Sequence, residues 1–329
     1  MAITIAYFTC RREPKIEWFF RSLNRELNGK WNFVNILIID YWYQYDPEER
    51  YADFKKYWDG LAPKESIKHI SPKPCPLQGK YKVTKNEYFA ASNARNTAFL
   101  NCKTDYIVCI DDLTVIKEGW LNAVMWAMKN NFVIYGSYAK VKNLICHEDG
   151  SYSYNEFPQG LDSRFNNPHI SNDFATRVAG SWLFGCSFGM PLEVALVADG
   201  FDETCDGQGA EDYDFGIRIG RITNNIYYSK HMFTYEDEDL HFSTGNLKFL
   251  RESKLLTAET KMKMYIGMMS DHAMLQHVLH SGYLPFTPNN LKEKLNCQRD
   301  NERSKNNDVE FRSFKNMVDW RDGKRYIDM

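Results

Sequence analysis

The sequence predicts an α/β fold on a mostly parallel central sheet, followed by a helical C-terminal extension. Two observations carry the sheet. Short apolar runs alternate with amphipathic segments through the N-terminal half, and several of those runs end on an acidic residue. A third observation carries the extension: beyond Asn246 the apolar spacing turns helical and stays so. A length of 329 residues suits one large domain with an appendage, divided here into residues 1–245 and 246–329.

Taken in order, Ile3–Phe8 is a strand and Pro14–Leu27 a helix with Trp18, Phe19 and Leu23 on one face. Val34–Ile39 is a second strand, ending at Asp40. Ala62–Lys85 sets Lys64, Lys68, Lys73, Lys80, Lys82 and Lys85 among prolines against the single acid Glu65, which reads as a basic loop. Glu87–Asn101 is a helix, Tyr106–Ile110 a buried strand running into Asp111 and Asp112, and Trp120–Lys129 the next helix. Phe132–Tyr138 is a strand, and the polar stretch Asn143–Phe174 reads as a long loop or lid. Ser181–Gly189 is strand-like, and Ile226–Tyr228 and Met232–Tyr235 resume strand character. The extension holds helical patterns at Leu247–Leu256, Met262–Leu279 and Leu291–Leu295. Open α/β sheets bind ligands beyond the carboxyl ends of their strands, so Thr9, Asp40, Asp111 and Asp112 are expected to border one crevice.

Composition excludes several classes. A net charge of −2 gives no global pull toward nucleic acid or anionic membrane. No window reaches the roughly 18 consecutive apolar residues of a membrane span, and Met1 leads straight into ITIAYF without a basic leader, so a cytoplasmic protein is expected. The eight cysteines form no CxxC pair and read as reduced, structural thiols. Neither GxGxxG nor GxxxxGK[ST] occurs, which argues against Rossmann dehydrogenases and P-loop enzymes. His277 and His280 lack a carboxylate or thiol partner nearby, and the methionines of 262–274 suit an irregular helical interface better than a cofactor.

Two segments carry chemistry. Asp199–Arg218, DGFDETCDGQGAEDYDFGIR, brings Glu211, Asp212 and Asp214 to the first turn of a helix, where the dipole favours negative charge. Asp214 and Arg218 fall at i and i+4 and can pair, whereas Asp212 is left without a structural partner. Upstream, Asp111 and Asp112 close a buried strand. Adjacent carboxylates repel one another unless a cation or donors compensate, and hard divalent metals prefer such oxygen ligands.

The order and spacing of Asp111-Asp112, of GFDE at Gly200–Glu203 and of GAEDYDFGIR at Gly209–Arg218, with Arg95-Asn96 in the preceding helix, resemble the family 2 glycosyltransferases of the GT-A fold. The resemblance spans roughly residues 1–245 and implies transfer of a sugar from a nucleotide diphosphate, most simply a UDP-sugar, to an acceptor hydroxyl. It implies that Thr9, Arg11, Asp40, Arg95 and Asp111 bind the donor, with Asp40 near the base and Asp111 near the ribose. Asp112 would hold Mn²⁺ or Mg²⁺, completed by His241, with His231 and Glu236 as rivals. Asp212 would be the general base, with Glu211 and Asp214 on the acceptor side. One base facing the leaving group implies inversion. Many members carry a further acid where this chain has Leu113.

The acceptor is less marked. The Asn-, Lys-, Tyr- and Phe-rich composition resembles products of AT-rich bacteriophage genomes, and some phage glycosyltransferases modify hydroxymethylated pyrimidines in DNA. The lysines of the basic loop, with Lys248, Arg251 and Lys254, would suit phosphodiester contacts. A protein or surface-glycan hydroxyl is the alternative acceptor, and a GT-A-shaped binding protein without turnover the alternative function.

Overall fold

The computed structural model describes residues 2–73, 90–171, 173–203, 206 and 211–242, with the side chains at 156–159 and 241–242 outside the described set. In chain order the elements are β1 (Ile3–Thr9), α1 (Ile16–Leu27), β2 (Val34–Asp40), α2 (Pro47–Lys55), β3 (Ile67–Ile70) and α3 (Ala91–Asn101). Next come β4 (Tyr106–Asp111), β5 (Thr114–Ile116), α4 (Trp120–Asn130), β6 (Val133–Lys142), β7 (Ile145–Cys146) and β8 (Tyr152–Ser153). The described part ends with β9 (Glu156–Leu161), β10 (Thr176–Arg177), β11 (Ser187–Pro191), α5 (Leu192–Val197), α6 (Glu211–Ile222), β12 (Ile226–Asp237) and α7 (Glu238–Phe242).

Alternation along the first strands builds two cores. Ile3, Ile5 and Tyr7 of β1 pack with Ile36 and Ile38 of β2 against Phe19, Phe20 and Leu23 of α1 and Val124 of α4. Ala6, Phe8, Leu37 and Ile39 face the other way, toward Ala94 and Ala98 of α3 and Phe215 of α6. A strand buried on both faces reads as a continuous apolar run, which is why these strands were legible. α1 stops where Asn28 and Gly29 take φ of 47° and 71°, a left-handed exit that Asn and Gly tolerate.

The sheet order is β3-β2-β1-β4-β11-β6-β12-β10, with β5 and β9 pairing at the side with β12 and β6. The β3-β2-β1-β4 part is parallel, as are β6 and β12, while β11 runs antiparallel between β4 and β6. Register places Thr9 beside Asp40 and Phe8 beside Asp111, so the strand-ending residues share one edge. Because β11 is reversed, it begins at that same edge. Glu236 of β12 pairs with Thr114 of β5, just after the two aspartates.

Several expectations are corrected. Part of the basic loop is strand β3 at the sheet edge, and α2, unread in the sequence, precedes it. Asn143–Phe174 is no open lid: β7 and β8 form a hairpin and β9 pairs with β6. Arg164 in this stretch is buried, paired with Asp162 at 2.6 Å, and donates to the carbonyls of Gly136 and Trp182. The two strand pieces after Ile226 are one strand, with a register shift between Tyr228 and Phe233. The helices expected at 247–256, 262–279 and 291–295 lie outside the described residues, as does the division at 245 and 246. No helix among the described residues is long and apolar enough to cross a membrane. Cys10, Cys109, Cys146 and Cys186 are buried free thiols.

One close approach sets the position of α6. A Cβ on Gly216 would overlap the Gly180 carbonyl oxygen, and one on Gly180 would overlap that of Gly216, whereas a Cβ on Gly220 meets its nearest atom at 3.5 Å. Gly216→Ala gains about 1 kcal/mol of helix propensity but must move backbone on both sides, a larger cost. We expect urea unfolding to show Gly216→Ala destabilised by about 2 kcal/mol and Gly220→Ala neutral or stabilised. Equal effects at the two glycines would show that the approach does not fix α6.

Candidate active site

Four segments meet at the sheet edge: the turn after β1, the end of β4, the turn before β11 and the start of α6. Arg95 of α3 joins them. Its Nη1 donates to Glu211 Oε1 at 3.2 Å and to Asp212 Oδ1 at 3.1 Å, and its Nη2 stands 3.8 Å from Asp111 Oδ1. The guanidinium lies 5.0 Å above the Phe201 ring. Three carboxylates around one buried cation hold its proton tightly, outweighing the burial that disfavours the charge.

Asp212 has a second support. The Gly185 N–H donates to its Oδ2 at 2.8 Å, so each carboxylate oxygen is oriented by one donor and keeps a lone pair. Burial raises the pKa of Asp212, Arg95 opposes that rise, and Glu211 adds to it. An upward shift moves a carboxylate toward the range useful to a general base. Gly185 itself went unread in the sequence. A Cβ there would overlap the Arg95 guanidinium, which explains a glycine at the point where β11 enters the site.

On the other side, Asp112 accepts from Thr9 Oγ1 at 2.7 Å and from Arg11 Nε at 3.0 Å. Asp111 is partly exposed, and its pKa is pushed up to about 7 by burial, with Arg95 opposing and Asp112, Asp212 and Glu211 contributing. Leu113, where many family members carry a further acid, is buried with φ of 57°. Asp214 pairs with Arg218 at 2.8 Å as the i, i+4 spacing requires, and that arginine also holds the Gly200 carbonyl. The structure does not bring Asp40 to these groups: it is fully buried, with its oxygens taken by Trp42, Arg50 and His69.

The GFDE segment has a structural part. Asn96 donates to the Phe201 carbonyl and accepts from the Phe201 N–H, at 2.9 and 2.8 Å, and Glu203 accepts from Asn96 and from buried Lys73 at 2.7 and 2.6 Å. Asp206 accepts from the Ser92 and Asn93 N–H groups at the start of α3. Lys73 is therefore a core ion pair rather than part of a basic surface.

Glu236 is the rival metal ligand whose side chain the structure describes near the two aspartates. It is buried, accepts no hydrogen bond among the described residues, and its pKa is pushed up to about 8 by burial and by Asp111, with Asp112 adding and Lys140 opposing. His231 stacks on Phe174 at 5.1 Å. His241 lies on α7, its side chain outside the described residues. No cluster of three His, Cys, Asp or Glu side chains is closed around a cation position among the described residues. The donors nearest the strand ends, Asp111, Asp112 and Glu236, are all hard oxygens of the kind that Mg²⁺ or Mn²⁺ takes.

That arrangement has a pH consequence. The folded Glu236 pKa, about 8, exceeds its ordinary 4.5, so between those values the folded state binds more protons than the unfolded state and stability falls as pH rises. Thermal melts are expected to show Glu236→Gln above the wild type at about pH 8.5, the two converging near pH 4.5. Manganese should raise the wild-type melting temperature more at about pH 8.5 than at about pH 6, where protons compete for the carboxyls. A pH-independent difference between the two proteins would remove the role assigned to Glu236.

No protein-family model and no curated protein sequence matches the chain. Among solved structures, GalNAc-T7 with UDP, GalNAc and Mn²⁺ aligns with a TM-score of 0.52 at 11% identity, over 92% of this chain and 55% of that one. TarS 1–349 of S. aureus with UDP-GlcNAc aligns at 0.47 and 13% identity, over 72% of this chain and 59% of that one. A second TarS 1–349 structure aligns at the same 0.47, over 98% and 92%. The chain thus spans less than two thirds of the GalNAc-T7 chain and of the UDP-GlcNAc-bound TarS chain. With its mixed central sheet and the GalNAc-T7 superposition, the described fold is that of a GT-A glycosyltransferase.

Proposed function

We propose that this chain is a metal-dependent, inverting glycosyltransferase that moves a sugar from a nucleotide diphosphate, UDP in the first instance, to an acceptor hydroxyl. The observation that carries the reading is the junction at Arg95, which joins Asp212 of α6 to Asp111 of β4 although these residues are remote in sequence. GalNAc-T7, whose fold superposes on this one, is seen with UDP, GalNAc and Mn²⁺.

In this reading Thr9, Arg11, Arg95 and Asp111 form the donor side, and Glu211 and Asp214 border the acceptor. Asp112 with Glu236 or His241 would hold the divalent cation, which neutralises charge on the diphosphate when bound. Asp212 takes the proton of the acceptor hydroxyl as its oxygen forms the bond to the anomeric carbon and the bond to the diphosphate breaks. Arg95 and the Gly185 N–H keep the carboxylate aimed and stabilise its charge before the proton arrives. A single displacement inverts the anomeric centre.

For the acceptor, hydroxymethylated pyrimidine in DNA is the specific candidate. It rests on composition and on Lys80, Lys82, Lys85, Lys248, Arg251 and Lys254, which lie outside the described residues. Lys73 is buried against Glu203 and adds nothing to a phosphate-binding face, while Lys68 donates to Asn101 at 2.7 Å. The test is a panel of UDP-sugars with Mn²⁺, offered hydroxymethylated DNA, unmodified DNA and protein or glycan hydroxyls, with mass detection of products. Sugar addition to the hydroxymethylated duplex alone is expected. Addition only to a protein or glycan moves the acceptor, and no hydrolysis or transfer from any nucleotide sugar sinks the enzymatic reading.

A further inference from the structure

One buried charged cluster has no part in the chemistry above. Asp40, at the end of β2, accepts from the Trp42 N–H at 3.0 Å, from Arg50 Nε and Nη2 at 2.6 and 3.3 Å, and stands 3.0 Å from His69 Nε2. A carboxylate has about four acceptor sites, so these neighbours saturate it. His69 lies among the rings of Tyr43, Tyr51, Phe54 and Trp58, and its Nδ1 has no hydrogen-bond partner. Burial lowers its pKa, so the ring is neutral and Nε2 donates. Arg50 is then the cation that balances Asp40.

The same residues hold the turn after β1. Arg50 Nη1 donates to the Arg12 carbonyl at 2.6 Å, Arg50 Nη2 to the Arg11 carbonyl at 2.7 Å, and Trp42 Nε1 to the Cys10 carbonyl at 2.9 Å. Three consecutive carbonyls are thus bonded to two residues that Asp40 anchors. From that turn Arg11 reaches Asp112 at 3.0 Å. We propose that Asp40 is a positioning residue and not a donor contact: through Arg50 and Trp42 it sets the Cys10–Arg12 turn, and through the turn the Arg11–Asp112 pair. The effect on donor binding rests on the glycosyltransferase reading, while the hold on the turn does not.

Arg50→Lys keeps a cation beside Asp40 but loses the planar fork that reaches both carbonyls. Two measurements compare it, and Asp40→Asn, with the wild type: calorimetric affinity for UDP, CDP and GDP with Mn²⁺, and hydrogen exchange of the peptide covering the turn. Arg50→Lys is expected to weaken every nucleotide the wild type binds by one common factor, about tenfold, and to speed exchange in the turn. Asp40→Asn should do the same; should it fail to fold, Arg50→Lys decides. The proposal is overturned if Asp40→Asn alters the preference among nucleotides while exchange in the turn is unchanged, which would put the carboxylate on the base. It is equally overturned if Arg50→Lys leaves affinity and exchange at wild-type values. Should the wild type bind no nucleotide, the functional reading falls and exchange alone decides: faster exchange supports the hold on the turn and unchanged exchange removes it.

Discussion

Asp212→Asn is expected to lower sugar transfer by about 10²–10⁴-fold while the melting temperature moves by only a few degrees. The amide keeps the shape of the carboxylate, and its oxygen can still accept from Arg95 or from the Gly185 N–H, so the helix start stays in place. What it loses is the capacity to take a proton. Charge balance makes the comparison informative. Arg95 faces Asp111, Glu211 and Asp212, and with Asp212 neutralised it still has two carboxylates. Asp59→Asn is the control, since Asp59 is exposed and paired with Lys55 on α2 rather than with Arg95. It should cost less than about tenfold, in line with the small worth of exposed ion pairs. If Asp212→Asn retained more than a tenth of wild-type activity with saturating donor and acceptor, the base would have to be sought elsewhere.

Much of this site was legible because the chemistry sits at chain positions that local rules expose. Asp111 and Asp112 were visible as acids closing an apolar strand, and Glu211 and Asp212 as acids in a first helical turn. Their meeting was implied by the family resemblance and by no local rule. It depends on β11 running antiparallel between β4 and β6, which brings Gly185 and α6 to the same edge, and no local pattern specifies which strand inserts there. Asp40 shows what local rules leave out. Its place at a strand end suggested a ligand contact, but α2, whose modest apolar content gave no helical signal, supplies Arg50 to cover it. Lys73 misled for a related reason. Charged residues in Pro-rich segments read as solvated, and burial beside Glu203 is set by a tertiary partner far along the chain.

The Lys73–Glu203 pair tests whether that burial matters to stability. Both side chains are almost inaccessible, at 2% and 3%, so neither charge is relieved by water if its partner is removed. Lys73→Met is expected to destabilise the protein by about 3–5 kcal/mol in urea unfolding, because Glu203 loses its buried cation and keeps Asn96, at 2.7 Å, as its side-chain donor among the described residues. Lys73→Met with Glu203→Gln should recover most of that loss, since the glutamine oxygen can still accept from Asn96 and the unpaired Glu203 charge is gone. The recovery distinguishes an uncompensated charge from lost packing, which the second substitution would not repair. The pair also bears on the active site. Asn96 and Glu203 dock Phe201 against α3, and Phe201 lies 5.0 Å below the Arg95 guanidinium and 4.1 Å from the Phe215 ring of α6. Loosening the pair should therefore lower activity in the folded fraction of Lys73→Met, and the double substitution should restore it together with stability. Stability recovered without activity would show that Lys73 serves the site by a route other than holding Phe201.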